Sequence, residues 1–147
     1  MKVQTTAIEG LLIVELDVHG DNRGWFKENW QREKMRAAGL PDFCPVQNNV
    51  SFNADKGVTR GLNAEPWDKF VSVASGRAFG AWCDVREGSD TYGELVTQEL
   101  RPDVAVFVPR GVANGFQALE ACSYSYLVND HWSADAQSRY TFLNLAD

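Results

Sequence analysis

Between residues 57 and 69 the chain reads Gly57-Val-Thr-Arg-Gly-Leu-Asn-Ala-Glu-Pro-Trp-Asp-Lys69. This stretch packs Arg60, Asn63, Glu65 and Lys69 between two apolar, strand-like runs. Polar side chains crowded into a half-buried sheet are costly unless they are paired or used. Arginine presents a planar fork suited to phosphate, and a few local Arg and Lys residues can hold a phosphorylated ligand. Histidine is scarce, with only His19 and His131. A metal site built from two or three histidines would need both, plus carboxylates, so no metal centre is expected.

The elements that must position these residues are short. Strand-like runs recur at Leu11–Leu16, Phe70–Ala74, Ala78–Val85, Leu95–Leu100, Ala105–Val108 and Cys122–Val128. Turn residues separate them at Ser75-Gly76, Glu87–Asp90, Arg101–Asp103 and Pro109–Gly111. This spacing predicts an all-β sandwich or barrel. From Phe70 to Val128 it fits a double-stranded β-helix, or jelly roll, whose open end is a natural small-molecule pocket. One helix is expected near Gln31–Ala38, closed by Gly39 and Pro41. The chain reads as a single jelly-roll domain. Residues 1–50 form an N-terminal strand extension with a short helix, and 51–147 form the β-sandwich core.

With 147 residues there is room for one domain with a real core and too little for two. The net charge of -6 argues against nucleic acid as a partner. Cys44, Cys83 and Cys122 are odd in number and not spaced as C-x-x-C, which fits a reduced, cytoplasmic setting. No run approaches the roughly 20 apolar residues of a membrane span, and the N-terminus lacks the apolar core of a signal peptide.

Several segments, in order, resemble the dTDP-4-dehydrorhamnose 3,5-epimerase family of cupin-like enzymes. Gly20–Glu28 is similar to its Asp-x-Arg-Gly-x-Phe-x-Glu motif, and Val46–Ser51 to Gln-x-Asn-x-Ser. Gly57–Asn63 resembles Gly-Val-x-Arg-Gly-Leu-His, and Lys69–Gly76 the lysine strand and its turn. Asp84–Gly93 resembles Asp-x-Arg-x-Gly-Ser-x-Thr-Phe-Gly, and Val108–Phe116 resembles Pro-x-Gly-x-x-His-Gly-Phe. The resemblance implies a cofactor-free, usually dimeric cytoplasmic enzyme. Its substrate would be a dTDP-linked 4-keto-6-deoxyhexose, inverted at C3 and C5 or at C3 alone, for rhamnose or related deoxysugar synthesis.

Epimerisation beside a ketone needs a base on one face and an acid on the other. The charge that builds on the C4 oxygen needs a fixed cation or donor. By resemblance, Lys69 is the enolate stabiliser and Arg60 reaches the diphosphate or sugar. Arg23, Phe26 and Glu28 fall in a motif that helps bind the nucleotide, partly across the dimer interface. Gln47 and Asn49 line the pocket, and Phe116 lies near the sugar. The bland alternatives are a strand-edge lysine, structural ion pairs, sheet-end caps and a core phenylalanine.

The chain departs from the family where proton transfer should occur. Asn63 stands at the base histidine, and an amide cannot take up a proton near neutral pH. Trp132 stands at the acid tyrosine, and indole only donates hydrogen bonds. Tyr126 and Trp132 share a face if the strand stays regular, and His131 then faces the other way. Tyr126 or His131 could substitute as proton carrier, His131 against the bland reading of an exposed or structural histidine, and an alignment shifted by one puts His131 at the tyrosine position. Asn114 replaces the histidine of His-Gly-Phe. Family members usually carry, beyond the stretch matched here, an aspartate that orients the base, and these 147 residues hold no match for it. Asp84 is then a candidate to orient position 63, against a plain role in closing its own turn.

Three readings follow. The first is an epimerase whose turnover Asn63 lowers or abolishes. The second is a non-catalytic sugar-nucleotide binding protein on the same fold. The third is a 3,4-ketoisomerase-like sugar-nucleotide cupin, disfavoured because Asn63-Ala-Glu65 lacks the histidines such a motif needs.

Overall fold

Short alternating runs become thirteen strands among the described residues. The structure is a computed structural model that describes residues 1–144, so the end of the expected 51–147 core lies outside the described residues. Six strands form one sheet in the order β1 (Lys2–Thr5), β2 (Leu12–Glu15), β10 (Val104–Val108), β7 (Lys69–Ser75), β12 (Cys122–Val128) and β5 (Gln47–Asn53). Five form the facing sheet in the order β13 (Thr141–Phe142), β6 (Thr59–Ala64), β11 (Val112–Ala118), β8 (Ala78–Asp84) and β9 (Leu95–Leu100). Strands β3 (Val18–Asp21) and β4 (Gly24–Lys27) pair only with each other, as a separate hairpin. The expected all-β jelly-roll class is the observed one. All pairings are antiparallel.

The alternation of strand side chains divides β7 between two cores. Val71 and Val73 face inward and pack with Trp82, Val106, Val108, Phe116 and Tyr124 between the sheets. Phe70 faces outward with Val14, Ala105 and Phe107, under Met35, Leu40 and Phe43. Being covered on both sides, β7 reads as a mostly apolar run, broken by Lys69 at its start and by Ser72 and Ser75. Helix α1 (Arg32–Ala38) supplies Met35 to that cover. Gln31 caps it by accepting from the Lys34 amide at 2.7 Å, and Gly39 closes it in the left-handed region at φ 108°. A second helix, α2 (Ala134–Gln137), follows β12. No helix among the described residues is long and apolar enough to cross a membrane.

Asp84 ends β8 fully buried, and its carboxylate is saturated. It accepts from Arg86 Nε and Nη2 at 2.9 Å each and from the hydroxyls of Ser89 and Thr91 at 2.6 Å each. Arg86 in turn donates to the Glu9 carbonyl at 2.7 Å, tying the β8–β9 loop to the N-terminal strands. Asp84 therefore closes its own loop and has no oxygen left to orient position 63. The Arg86 guanidinium, helped by the two hydroxyls, holds its carboxyl well below the usual carboxylate range. A depressed folded-state value stabilises the fold above the unfolded value and is lost as pH falls through the folded one. Asp84→Ala is expected to cost about 3–5 kcal/mol in urea unfolding, since it strands Arg86. The stability gap between native and variant should close as pH drops from about 4 toward 2.

Candidate active site

The two sheets part at one end around a cavity of 230 Å³. The six-stranded sheet contributes Ser51, Lys69, Tyr124 and Tyr126, and the facing sheet contributes Arg60, Asn63, Asn114 and Phe116. Glu65, in the turn from β6 to β7, completes the wall.

Two glycines shape this end. Gly61 has φ 101°, and a Cβ there would stand 2.6 Å from the Asn114 carbonyl oxygen. A Cβ at Gly115 would stand 2.9 Å from the Arg60 carbonyl oxygen. Only glycine allows the β6 and β11 backbones to close so tightly. The register shifts at the same place, from Asn114 opposite Asn63 to Phe116 opposite Arg60. This offset lets Arg60 and Asn63 serve one cavity. Arg60 sits at the mouth, its Nε donating to the buried Asn53 Oδ1 at 2.9 Å.

Lys69 is the central charge. Its side chain is 3% exposed, and its Nζ lies 3.2 Å from Glu65 Oε1. Glu65 Oε2 accepts from the indole of buried Trp67 at 2.6 Å. Burial pushes the Lys69 amine below the ordinary lysine value, and Glu65 opposes that push. Phe116 and Tyr124 stack at 4.0 Å and form an aromatic floor. Asn114 locks it, accepting from Trp82 Nε1 at 2.6 Å and donating to the Tyr124 hydroxyl at 3.3 Å. Tyr126 is half-buried, and desolvation raises its phenol above the ordinary value, so it stays protonated near neutrality.

Of the residues singled out from sequence, Arg60, Asn63, Lys69, Asn114 and Phe116 meet in the cavity. Gln47 and Asn49 stand beside it on β5. Asn49 is opposite Tyr126, and Gln47 Nε2 donates to Asn49 Oδ1 at 2.9 Å. Arg23 and Phe26 lie on the β3–β4 hairpin, outside the cavity lining. Arg23 is 86% exposed and pairs with Asp21, and Phe26 is 65% exposed. Glu28 pairs with Lys34 at 2.9 Å in a separate groove that holds His19 and Phe26.

Trp132 and His131 do not line the cavity. Trp132 would share a face with Tyr126 only along a regular strand, but β12 ends at Val128 and the chain bends at Asn129 and Asp130. Trp132 is 53% exposed and His131 is exposed. Glu65 and Tyr124 are lining residues that the sequence did not assign. Glu65 stood in the opening cluster, but its turn partners were not visible there.

A family model described as dTDP-4-dehydrorhamnose 3,5-epimerase matches residues 5–145. The chain belongs to this family. It is 53% identical over 146 residues to the RmlC homolog of Streptococcus pyogenes serotype M6, covering 95% of this chain and 73% of that protein. It is 36% identical over 127 residues to the dTDP-4-dehydrorhamnose 3,5-epimerase of Methanothermobacter thermautotrophicus, covering 82% and 68%. The structure of RmlC from Streptococcus suis in complex with dTDP-D-xylose superposes with a TM-score of 0.94 at 50% identity, covering 99% of this chain and 78% of that one.

Within that family fold, Asn114 has a clear structural part. Asn114→Ala leaves the Trp82 indole N–H buried without its acceptor. It is expected to lower stability by about 1–3 kcal/mol in thermal or denaturant melts and to loosen the near-UV signal of Trp82.

Proposed function

We propose that the cavity takes a dTDP-linked 4-keto-6-deoxyhexose and that the chain is an epimerase acting at C3, C5 or both through an enolate. The carrying observation is the buried Lys69, a cation aimed into a cavity that also holds Arg60 and Asn63. A cation in a water-poor cleft suits an oxygen that gains charge during reaction. Arg60 at the mouth suits the diphosphate. Trp132 and His131 stand outside the lining, so Tyr126, with its protonated phenol in the cavity, is the better acid. The base side is impaired, because Asn63 stands where the family's histidine would accept the proton. A reading as a non-catalytic binder of the same ligand draws on the same residue, since Asn63 fills the base position without blocking the cavity.

Proton exchange separates these. The dTDP-4-keto sugar is incubated in D₂O, and C3 and C5 are followed by NMR. Native protein should exchange slowly, and Asn63→His should raise the rate by about 10²–10⁴. Adding Tyr126→Phe to Asn63→His should slow proton return. If Asn63→His exchanges no faster than the native chain, position 63 is not the base site. A pure binder would bind dTDP and show no exchange in either form.

The proposed assembly is a homodimer in the cytoplasm. Edge strand β5 exposes Val50 and Phe52, each 65% accessible, and the β3–β4 hairpin pairs with neither sheet. A second copy would cover β5, and its hairpin would bring the partner subunit's Arg23 toward the diphosphate. Sedimentation velocity should show a dimer for the native protein and a monomer for Val50→Asp/Phe52→Asp. That variant should also bind dTDP more weakly.

A further inference from the structure

We propose that Glu65 is a positioning residue that keeps Lys69 an ammonium ion pointed into the cavity, a role that rests on the epimerase reading for its catalytic meaning. The surroundings of Lys69 leave one candidate for this task. On its own sheet, β7 lies between β10 and β12, and Lys69 stands opposite Val108 on one side and Val128 on the other. Strand β10 offers no charge. Strand β12 offers Tyr124 and Tyr126, both protonated phenols. The facing sheet offers Asn63, Asn114 and Arg60, and Arg60 has the same sign as Lys69. Asp68, next in sequence, turns away to the Arg110 guanidinium at 3.4 Å and the Asn129 amide at 3.0 Å. Among the described residues, Glu65 is therefore the single anion facing Lys69.

Glu65 is also held in place. Its second oxygen is bound by Trp67 Nε1, so the first cannot swing from Nζ without breaking that bond. Trp67 is fixed among Val128, Ala136 and Tyr140, the last packed edge-on at 5.6 Å. The clamp runs from the segment after β12, through Trp67 and Glu65, to the cavity charge. Without the carboxylate, the buried ammonium is unpaired, and shedding its proton becomes the cheaper state. A neutral amine gives an enolate no cation but attacks carbonyl carbon readily.

That change in chemistry is the test. Formaldehyde condenses with a neutral lysine amine to an imine, releasing water; the imine nitrogen takes a proton from solvent and cyanoborohydride delivers hydride to the C=N carbon, leaving a methylamine. Methylation of the Lys69 peptide is followed by mass spectrometry across pH in native protein and Glu65→Gln. The midpoint is expected to fall by about one unit or more in Glu65→Gln, so at pH values below both midpoints labelling rises about tenfold or more. An unmoved midpoint in folded Glu65→Gln overturns the proposal.

Binding of dTDP, measured on both proteins, keeps the two readings apart. Native binding with an unmoved midpoint defeats the role of Glu65 alone. A shifted midpoint in a protein that never binds dTDP supports the role of Glu65 and defeats the ligand assignment. Where Glu65→Gln does not fold, Glu65→Gln/Lys69→Met decides. Recovery of a cooperative melt shows that the unpaired Lys69 was the fault, and no recovery places the role of Glu65 with Trp67 and overturns the proposal.

Discussion

A lysine closed between two sheets keeps its charge only with an anion beside it, and much of this site is arranged around that need. Lys69 begins a strand whose later inward residues are valines in the core. Its ammonium cannot reach bulk water, so the chain brings Glu65 back across the β6–β7 turn to within 3.2 Å. The turn holds because Trp67 is buried and spends its indole N–H on the same carboxylate. Such a pair is weak evidence for stability, since desolvating two charges can cancel their attraction. Apolar residues of similar volume would serve the core as well or better. The arrangement makes sense where a cation is wanted in a dry cavity for its own sake.

The second constraint is how closely β6 and β11 approach. Gly61 and Gly115 face backbone atoms of the opposite strand at distances no Cβ tolerates. The close contact goes with the register shift, and the shift aims both Arg60 and Asn63 at one space. The Arg-Gly-Leu and Asn-Gly-Phe segments thus act as a matched pair. Each glycine lets its neighbours become site residues, and Asn114 then ties the floor to the buried Trp82.

Much of the fold was legible because inward and outward residues alternate and turns carry Gly, Pro and Asp. Leu95–Leu100 and Cys122–Val128 have their expected bounds, and α1 stops before Gly39 as expected, with Gln31 as its cap and not its first residue. Among the strands that escaped notice, β5, β6 and β11 are those where polar site residues interrupt the apolar pattern. Position along the chain brought Arg60, Asn63, Lys69, Asn114 and Phe116 into one site. It failed for Trp132 because parity holds only while a strand continues, and β12 ends before that residue. Glu65 was hidden for a related reason. A spacing of four residues from Lys69 suggests a helical pair, whereas here the two face each other across a turn between strands.

What remains in the cavity separates two parts of enolate chemistry that usually come together. Stabilising negative charge needs a fixed cation, and Lys69 with Arg60 supplies positive charge that no core would choose. Moving a proton needs a group that titrates near the working pH, and Asn63 does not. Asn63 stands opposite Asn114 in register, and both amides line the same cavity. Amides preserve hydrogen bonding and volume and exchange no protons. On the proposed reading, the pocket can therefore keep its shape, its charge and its fit to an anionic sugar nucleotide while proton removal lacks a base at position 63. Binding and turnover are, on that reading, separable quantities in such a site, because charge that holds an anionic ligand remains in Lys69 and Arg60 while the base position is an amide.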